Sequence, residues 1–320
     1  MQPVLQELPR GARVLVIRLR SLGDCVLMTP ALALLKRFRP DLETGVVVEN
    51  RFAAVFDGHP DVDTIVEPRL GAVARWKPSL ALNFHGGPRS IALTLASRAA
   101  ERAGFAHHRG SGAYSVRIPR AQEILGEERT VHTAEHLASA MFYLGVPRTE
   151  IPRARLAAGP PPIEGRYAVI HPAASAPEKT WPASHFLELA RRLRRYWALE
   201  PVFIGAASDD LRPFAGFRRF AGEPLGRVVA LIAGARLFVG NDSGPAHVAA
   251  AFGVPLGVLF GPSNPEIWGP WKARAAVFHS PQGLERIRVD EVFDGLKKLR
   301  EQPKRGETVA GPEPARRSAP

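Results

Sequence analysis

Apolar positions along the chain follow two alternating rhythms. Short β-branched runs such as RVLVIRL (13–19) and TGVVVEN (44–50) read as strands, and between them CVLMTPALALLKRF (25–38) carries apolar residues at helical spacing. The strand-like DTIVEP (63–68) and SLALNFHG (79–86) follow, then the helix-like SIALTLASRAAERAG (90–104), the basic FAHHRGSG (105–112) and the helix-like TAEHLASAMFYLGV (133–146). Such alternation predicts a parallel sheet covered by helices on both faces.

The rhythm lapses in VPRTEIPRARLAAGPPPIEGR (146–166), which holds five prolines and reads as a linker. It then restarts with strands YAVIHP, EPVFIGA, RLFVGN and PLGVLFG and helices PASHFLELARRLRRYW, GRVVALIAGA and PAHVAAAF, before a final amphipathic helix, VDEVFDGLKKLREQ. The expected fold class is α/β: two Rossmann-like domains in tandem, 1–150 and 151–302, whose parallel sheets face a central cleft. The Pro- and Arg-rich remainder, 303–320, reads as a disordered tail. A length of 320 residues agrees with two domains of about 150.

Composition narrows the setting. No run approaches the ~20 apolar residues of a membrane span, and the N-terminus lacks the order of a secretion signal, so a cytoplasmic protein is expected. The single cysteine, Cys25, rules out a disulfide framework and a cysteine zinc cluster. A net charge of +12 suits an anionic partner: a phosphorylated substrate, an acidic membrane face or nucleic acid. Much of it is arginine spread over helices, as in ARRLRRYW, where a solvated face is the simpler explanation. No reader motif or interleaved aromatics supports nucleic acid.

Candidate chemistry gathers at strand ends. In FVGNDSGPAHVAAAFGVP a strand runs into Asp242, Ser243 and Gly244, and Pro245 suits the first turn of a helix. Backbone donors at that helix start, with the glycine beside them, form an anion site suited to a phosphate. Asp242 can then accept from sugar hydroxyls; the plainer alternative is that Asp-Ser-Gly only caps the helix. His247, on the first turn, is either a ligand contact or a packed histidine. Lys179 lies in the loop after the first strand of the second half, where a compact cation can neutralise a diphosphate. Asp209 and Asp210 end another strand and either accept from a ribose diol or cap a helix.

The N-terminal turn RLRSLGD lacks the full Gly-x-Gly-x-x-Gly fingerprint, which disfavours an ordinary Rossmann dehydrogenase. It offers instead Asp24, a carboxylate at the mouth of the first sheet, placed either as a general base or as a helix cap. Arg18 and Arg20 flank it and either hold an anionic acceptor or keep Asp24 ionised. The Asp61-Val62-Asp63 stretch looks like a metal-binding Asp-x-Asp, but its place before a strand points to a loop and cap.

RSLGD, GHPDVDTIV, KTWP and above all GNDSGPAHVAAAFGVPLGVLFGP resemble the bacterial heptosyltransferases of glycosyltransferase family 9, from about residue 13 to about residue 300. The resemblance implies the glycosyltransferase B architecture and an inverting transfer of heptose from a nucleotide-sugar, ADP-heptose, to the lipopolysaccharide inner core or a similar anionic, lipid-linked glycan. It implies no cofactor or metal, and contact with the inner face of the cytoplasmic membrane. Asp24 then matches the family's base, Lys179 its phosphate-contacting lysine, and Asp242, Ser243 and Gly244 the grip on the donor. Asp209 falls near an acidic ribose ligand, and Ser243 stands where some members carry threonine. The alternatives are a nucleotide-sugar-binding protein without catalysis, or a family 9 member with another donor.

Overall fold

The computed structural model describes residues 3–301. The tail expected at 303–320 lies outside the described residues. Twelve strands form two parallel sheets. In the first, β1 (Arg13–Ile17), β2 (Glu43–Val47), β3 (Thr64–Val66), β4 (Leu80–Asn83), β5 (Glu101–Phe105) and β6 (Val116–Ile118) are ordered β3-β2-β1-β4-β5-β6. In the second, β7 (Tyr167–His171), β8 (Glu200–Gly205), β9 (Arg218–Ala221), β10 (Leu237–Asn241), β11 (Leu256–Phe260) and β12 (Ala275–His279) are ordered β12-β11-β10-β7-β8-β9.

The two orders are the same doubly wound pattern. Strand order reverses between β1 and β4 in one sheet and between β7 and β10 in the other, with Val14 opposite Leu80 and Phe238 opposite Val169. A crevice opens at the carboxyl ends of such a pair, because the connections leave to opposite faces of the sheet. Three of these four strands deliver the candidate residues: β1 leads to Asp24, β7 to Lys179 and β10 to Asp242.

Central strands are apolar along most of their length because both faces are covered. Val14–Ile17 and Leu237–Asn241 are wholly buried. One apolar cluster is continuous across the halves, joining Val14, Val16 and Val26 to Phe238, Val248 and Ala249. Separate clusters cover the outer faces, around Leu15, Ile17 and Leu93 in the first half and around Trp181, Phe186, Phe203 and Phe214 in the second.

Two sequence readings change. The helix expected through residue 104 stops at Ala96, and Glu101–Phe105 is β5. The helix expected over 25–38 is two, Leu22–Leu27 and Thr29–Phe38, with Pro30 in the first turn of the second. Proline has no N–H to give to the preceding turn, so the chain starts a new helix there.

The proline-rich linker has no regular structure but is held to both halves. Trp271 Nε1 donates to Pro152 O (2.9 Å) and Lys272 Nζ to Ile151 O (2.6 Å) on the side of the second sheet. Arg155 N donates to Thr29 Oγ1 (3.2 Å), and the Arg155 guanidinium pairs with buried Asp61 of the first half at 2.5 Å.

Candidate functional site between the sheets

The first turns of two helices pack against each other where the crevices open. Leu22–Leu27 follows β1 and Gly244–Phe252 follows β10. Glycine permits their close approach: a β-carbon on Gly23 would stand 2.6 Å from His247 Cδ2, and one on Gly244 would stand 2.7 Å from Leu22 Cβ. Beside this contact lies a cavity of about 360 Å³. Its walls include Asp24 from the first half and Lys179, Asp242, Ser243, Gly244 and His247 from the second.

Asp24 is the third residue of its helix and closes a capping box with Ser21. Its Oδ2 accepts from Ser21 N (2.9 Å) and Ser21 Oγ (3.0 Å). Oδ1 faces the Arg18 guanidinium in an ion pair, and Arg18 also donates to Phe84 O. The cap and the base readings of Asp24 therefore fall on one side chain, fixed by local bonds and still on the cavity wall. Of the two roles the sequence offered Arg18, the structure shows the one in which it pairs with Asp24. Arg20 is exposed.

On the opposite wall, buried Asn241 organises the loop that carries Lys179. Its Nδ2 donates to Pro172 O (2.8 Å) and its Oδ1 accepts from Trp181 N (3.0 Å), so both ends of the 172–181 loop are tied to the end of β10. The Trp181 indole, fully buried, donates to Ile287 O at 2.8 Å. The loop so fixed sets Lys179 Nζ 3.8 Å from Asp242 Oδ2. Burial pushes the Asp242 carboxyl above its ordinary value; a hydrogen bond from Ser263 and the Lys179 charge oppose the rise.

Ser243 occupies the N-cap position without using its side chain as a cap, unlike the sequence expectation. Its hydroxyl instead meets His171 Nδ1 at 3.0 Å. The first N–H of the following helix, that of Gly244, has no carbonyl within the helix to bond and stands at the cavity wall. His247 is buried, and burial together with nearby His132 pushes its pKa down to about 4 against the pull of Asp24. Burial likewise lowers His171 to about 4.

Asp209 is not in this cavity. It borders an adjoining hollow with Thr180, Trp181 and Phe214, and its Oδ2 accepts from Ala206 N at 2.7 Å. Asp210 pairs at the surface with Arg212 (2.8 Å). Asp61 is committed to Arg155, while Asp63 accepts from Thr44 N (2.7 Å) and pairs with Lys36 (2.6 Å), so both carboxylates of the Asp-x-Asp stretch have structural work. Ser21, Ser175, Ser263 and Trp268 also line the cavity and escaped the sequence reading. Their only sequence signal is position in the loops that follow β1, β7 and β11.

The sequence family described as glycosyltransferase family 9 (heptosyltransferase) matches residues 79–292, two thirds of the chain and the whole of the second sheet. The chain belongs to glycosyltransferase family 9. It is 35% identical over 131 residues to lipopolysaccharide heptosyltransferase 2 of Escherichia coli K12, an alignment that spans 37% of that relative. It is 28% identical over 293 residues to lipopolysaccharide heptosyltransferase 1 of Pseudomonas aeruginosa, spanning 81% of each chain. The heptosyltransferase WaaC of E. coli, solved with ADP, superposes with a TM-score of 0.76 at 20% identity, covering 90% of this chain and 99% of that one. This family 9 chain thus shares their fold, two Rossmann-like halves facing a cleft. Among the described residues no helix is long and apolar enough to cross a membrane.

Proposed function

We propose that the chain is an inverting heptosyltransferase that moves heptose from ADP-heptose to an anionic glycan of the lipopolysaccharide inner core. One observation carries the reading. Asp24 from one half and Lys179, Asp242, Ser243 and Gly244 from the other share one cavity at both topological switch points. Supporting it are the heptosyltransferase relatives and the ADP named with the E. coli structure.

The donor diphosphate sits against Lys179 and the start of the Gly244 helix. A cation and the positive end of a helix dipole face the phosphates there and need no rearrangement as charge develops. The nucleoside extends into the adjoining hollow, where the second oxygen of Asp209 accepts from the ribose. Asp242 accepts from hydroxyls of the sugar.

The acceptor hydroxyl enters from the first half. Its oxygen attacks the anomeric carbon from the face opposite the diphosphate, the bond to the phosphate oxygen breaks with its electron pair leaving on ADP, and the hydroxyl proton passes to Asp24. Arg18 and Ser21 hold the carboxylate in place for that transfer. A positioned base of this kind is worth about 10² to 10⁴ in rate. Exposed Arg20 and the surplus positive charge suit an acceptor bearing phosphates or carboxylates at the inner face of the membrane.

The test is acceptor-dependent release of ADP from ADP-heptose, with the anomeric configuration of the product read by NMR. An inverted linkage is expected; retention, or release from UDP- or GDP-sugars in preference to ADP-heptose, contradicts the proposal.

A further inference from the structure

Five large apolar side chains are exposed among the described residues: Leu70, Leu95, Tyr196, Trp268 and Val277. Tyr196 has company at the surface in Phe293 and Arg195. Of the five, Trp268 alone lines the cavity that holds Asp24 and Asp242, and it is 37% exposed there. Tryptophan left open to water at the rim of a polar cavity forfeits the apolar burial that makes the residue useful in a fold. The same side chain gains that burial back when a ligand with an apolar face covers it.

The backbone beneath the indole is fixed on both sides. Asn264 Oδ1 accepts from Glu266 N (2.8 Å), capping the short helix Pro265–Trp268, and Gly269 N donates to Pro265 O (2.8 Å). His132 Nε2, from the first half, bonds Gly269 O at 2.8 Å. Ser263, which donates to Asp242, lies in the same loop after β11. One short segment therefore carries both an aromatic face and the partner of a partly buried carboxylate.

That pairing matches the chemistry of a sugar ring, which is polar at its rim and apolar on its C–H face. A diphosphate draws on cations and N–H donors and leaves the apolar face of an indole uncovered. The nucleoside hollow around Asp209 is separate, and Trp268 is not one of its walls. We propose that Trp268 is the specificity-determining platform on which the transferred sugar stacks while Asp242 accepts from its hydroxyls. The inference rests on the donor reading given above and adds the residue that distinguishes a nucleotide-sugar from a bare nucleotide.

Calorimetric titration with ADP and with ADP-heptose, both without acceptor, tests it on the full chain and on Trp268→Ala and Trp268→Phe. Trp268→Ala is expected to lose about 3- to 10-fold in affinity for ADP-heptose with ADP unchanged, the size of one aromatic contact. Trp268→Phe is expected to keep most of the wild-type affinity. Equal losses for ADP and ADP-heptose, or unchanged ADP-heptose binding in Trp268→Ala, overturn the platform role and leave the donor reading standing. Failure of the unsubstituted chain to bind either compound overturns the donor reading, and the platform with it.

Discussion

Gly23 and His247 touch across the cleft, with room for a hydrogen but not for a methyl on the glycine: a β-carbon there would lie 2.6 Å from His247 Cδ2. The two residues come from helices of opposite halves, so this contact sets how near Asp24 stands to Lys179 and Asp242 across the cavity. Gly23→Ala brings two opposed effects. Helix propensity favours alanine by up to about 1 kcal/mol, whereas overpacking against a buried ring costs about 1–3 kcal/mol. The clash is expected to win, lowering Tm by several degrees and cutting kcat, as read by thermal denaturation and ADP release.

Lys179 pairs with Asp242 at 3.8 Å, and its side chain is partly exposed. Lys179→Met should weaken ADP binding about 10- to 100-fold, the worth of one charge-assisted contact to phosphate. The difference from wild type should shrink as salt is raised, because added ions screen the attraction. Titrations at two ionic strengths check both points.

Asn241 acts at one remove from the ligand. Asn241→Ala leaves Trp181 N–H and Pro172 C=O without their partner, at a cost of about 1–3 kcal/mol for each buried group. The loop bearing Lys179 loses its ties, so KM for the donor should rise more than kcat falls. Leucine or alanine variants at a buried site remote from the loop, matched for Tm, should leave KM alone.

His171 and His247 are both neutral in the fold, with pKa lowered to about 4 from an ordinary 6.5. Between those values the unfolded chain binds protons that the native state refuses, so stability should rise with pH through that window and level off above it. Each ring contributes up to about 3 kcal/mol. Asp209 beside His171 and Asp24 beside His247 oppose part of the shift, while His132 adds to that of His247. Burial lowers His108 and His136 to about 4 as well, so urea denaturation from pH 4 to 8 reads a shared slope, which His247→Asn should lessen without abolishing.

The site was legible wherever chemistry and chain position coincided. Asp24, Lys179 and the Asp242 corner each lie in the connection that follows a short apolar run reading as a buried parallel strand, so their convergence follows from the sheet topology. Asp209 looked the same by that rule, yet the hollow it borders is a neighbouring one. Arg18 was read as either an acceptor contact or a partner of Asp24, and the structure shows the pairing with Asp24, across a turn whose shape periodicity does not report. Strand β5 went unseen because Glu-Arg-Ala-Gly-Phe has no β-branched residue and continues the Ala-rich pattern of the helix before it. Trp268 carried only its position in the connection after β11; its meaning comes from the cavity it borders.

The measurement closest to the central claim is kinetics and donor binding of Asp24→Asn side by side. Asparagine keeps the shape and can still accept from Ser21 N, but it cannot take a proton from the acceptor hydroxyl. A fall in kcat of about 10²- to 10⁴-fold with the Kd for ADP-heptose unchanged is the expected result. Wild-type turnover in that variant contradicts Asp24 as the base and the joint site built around it.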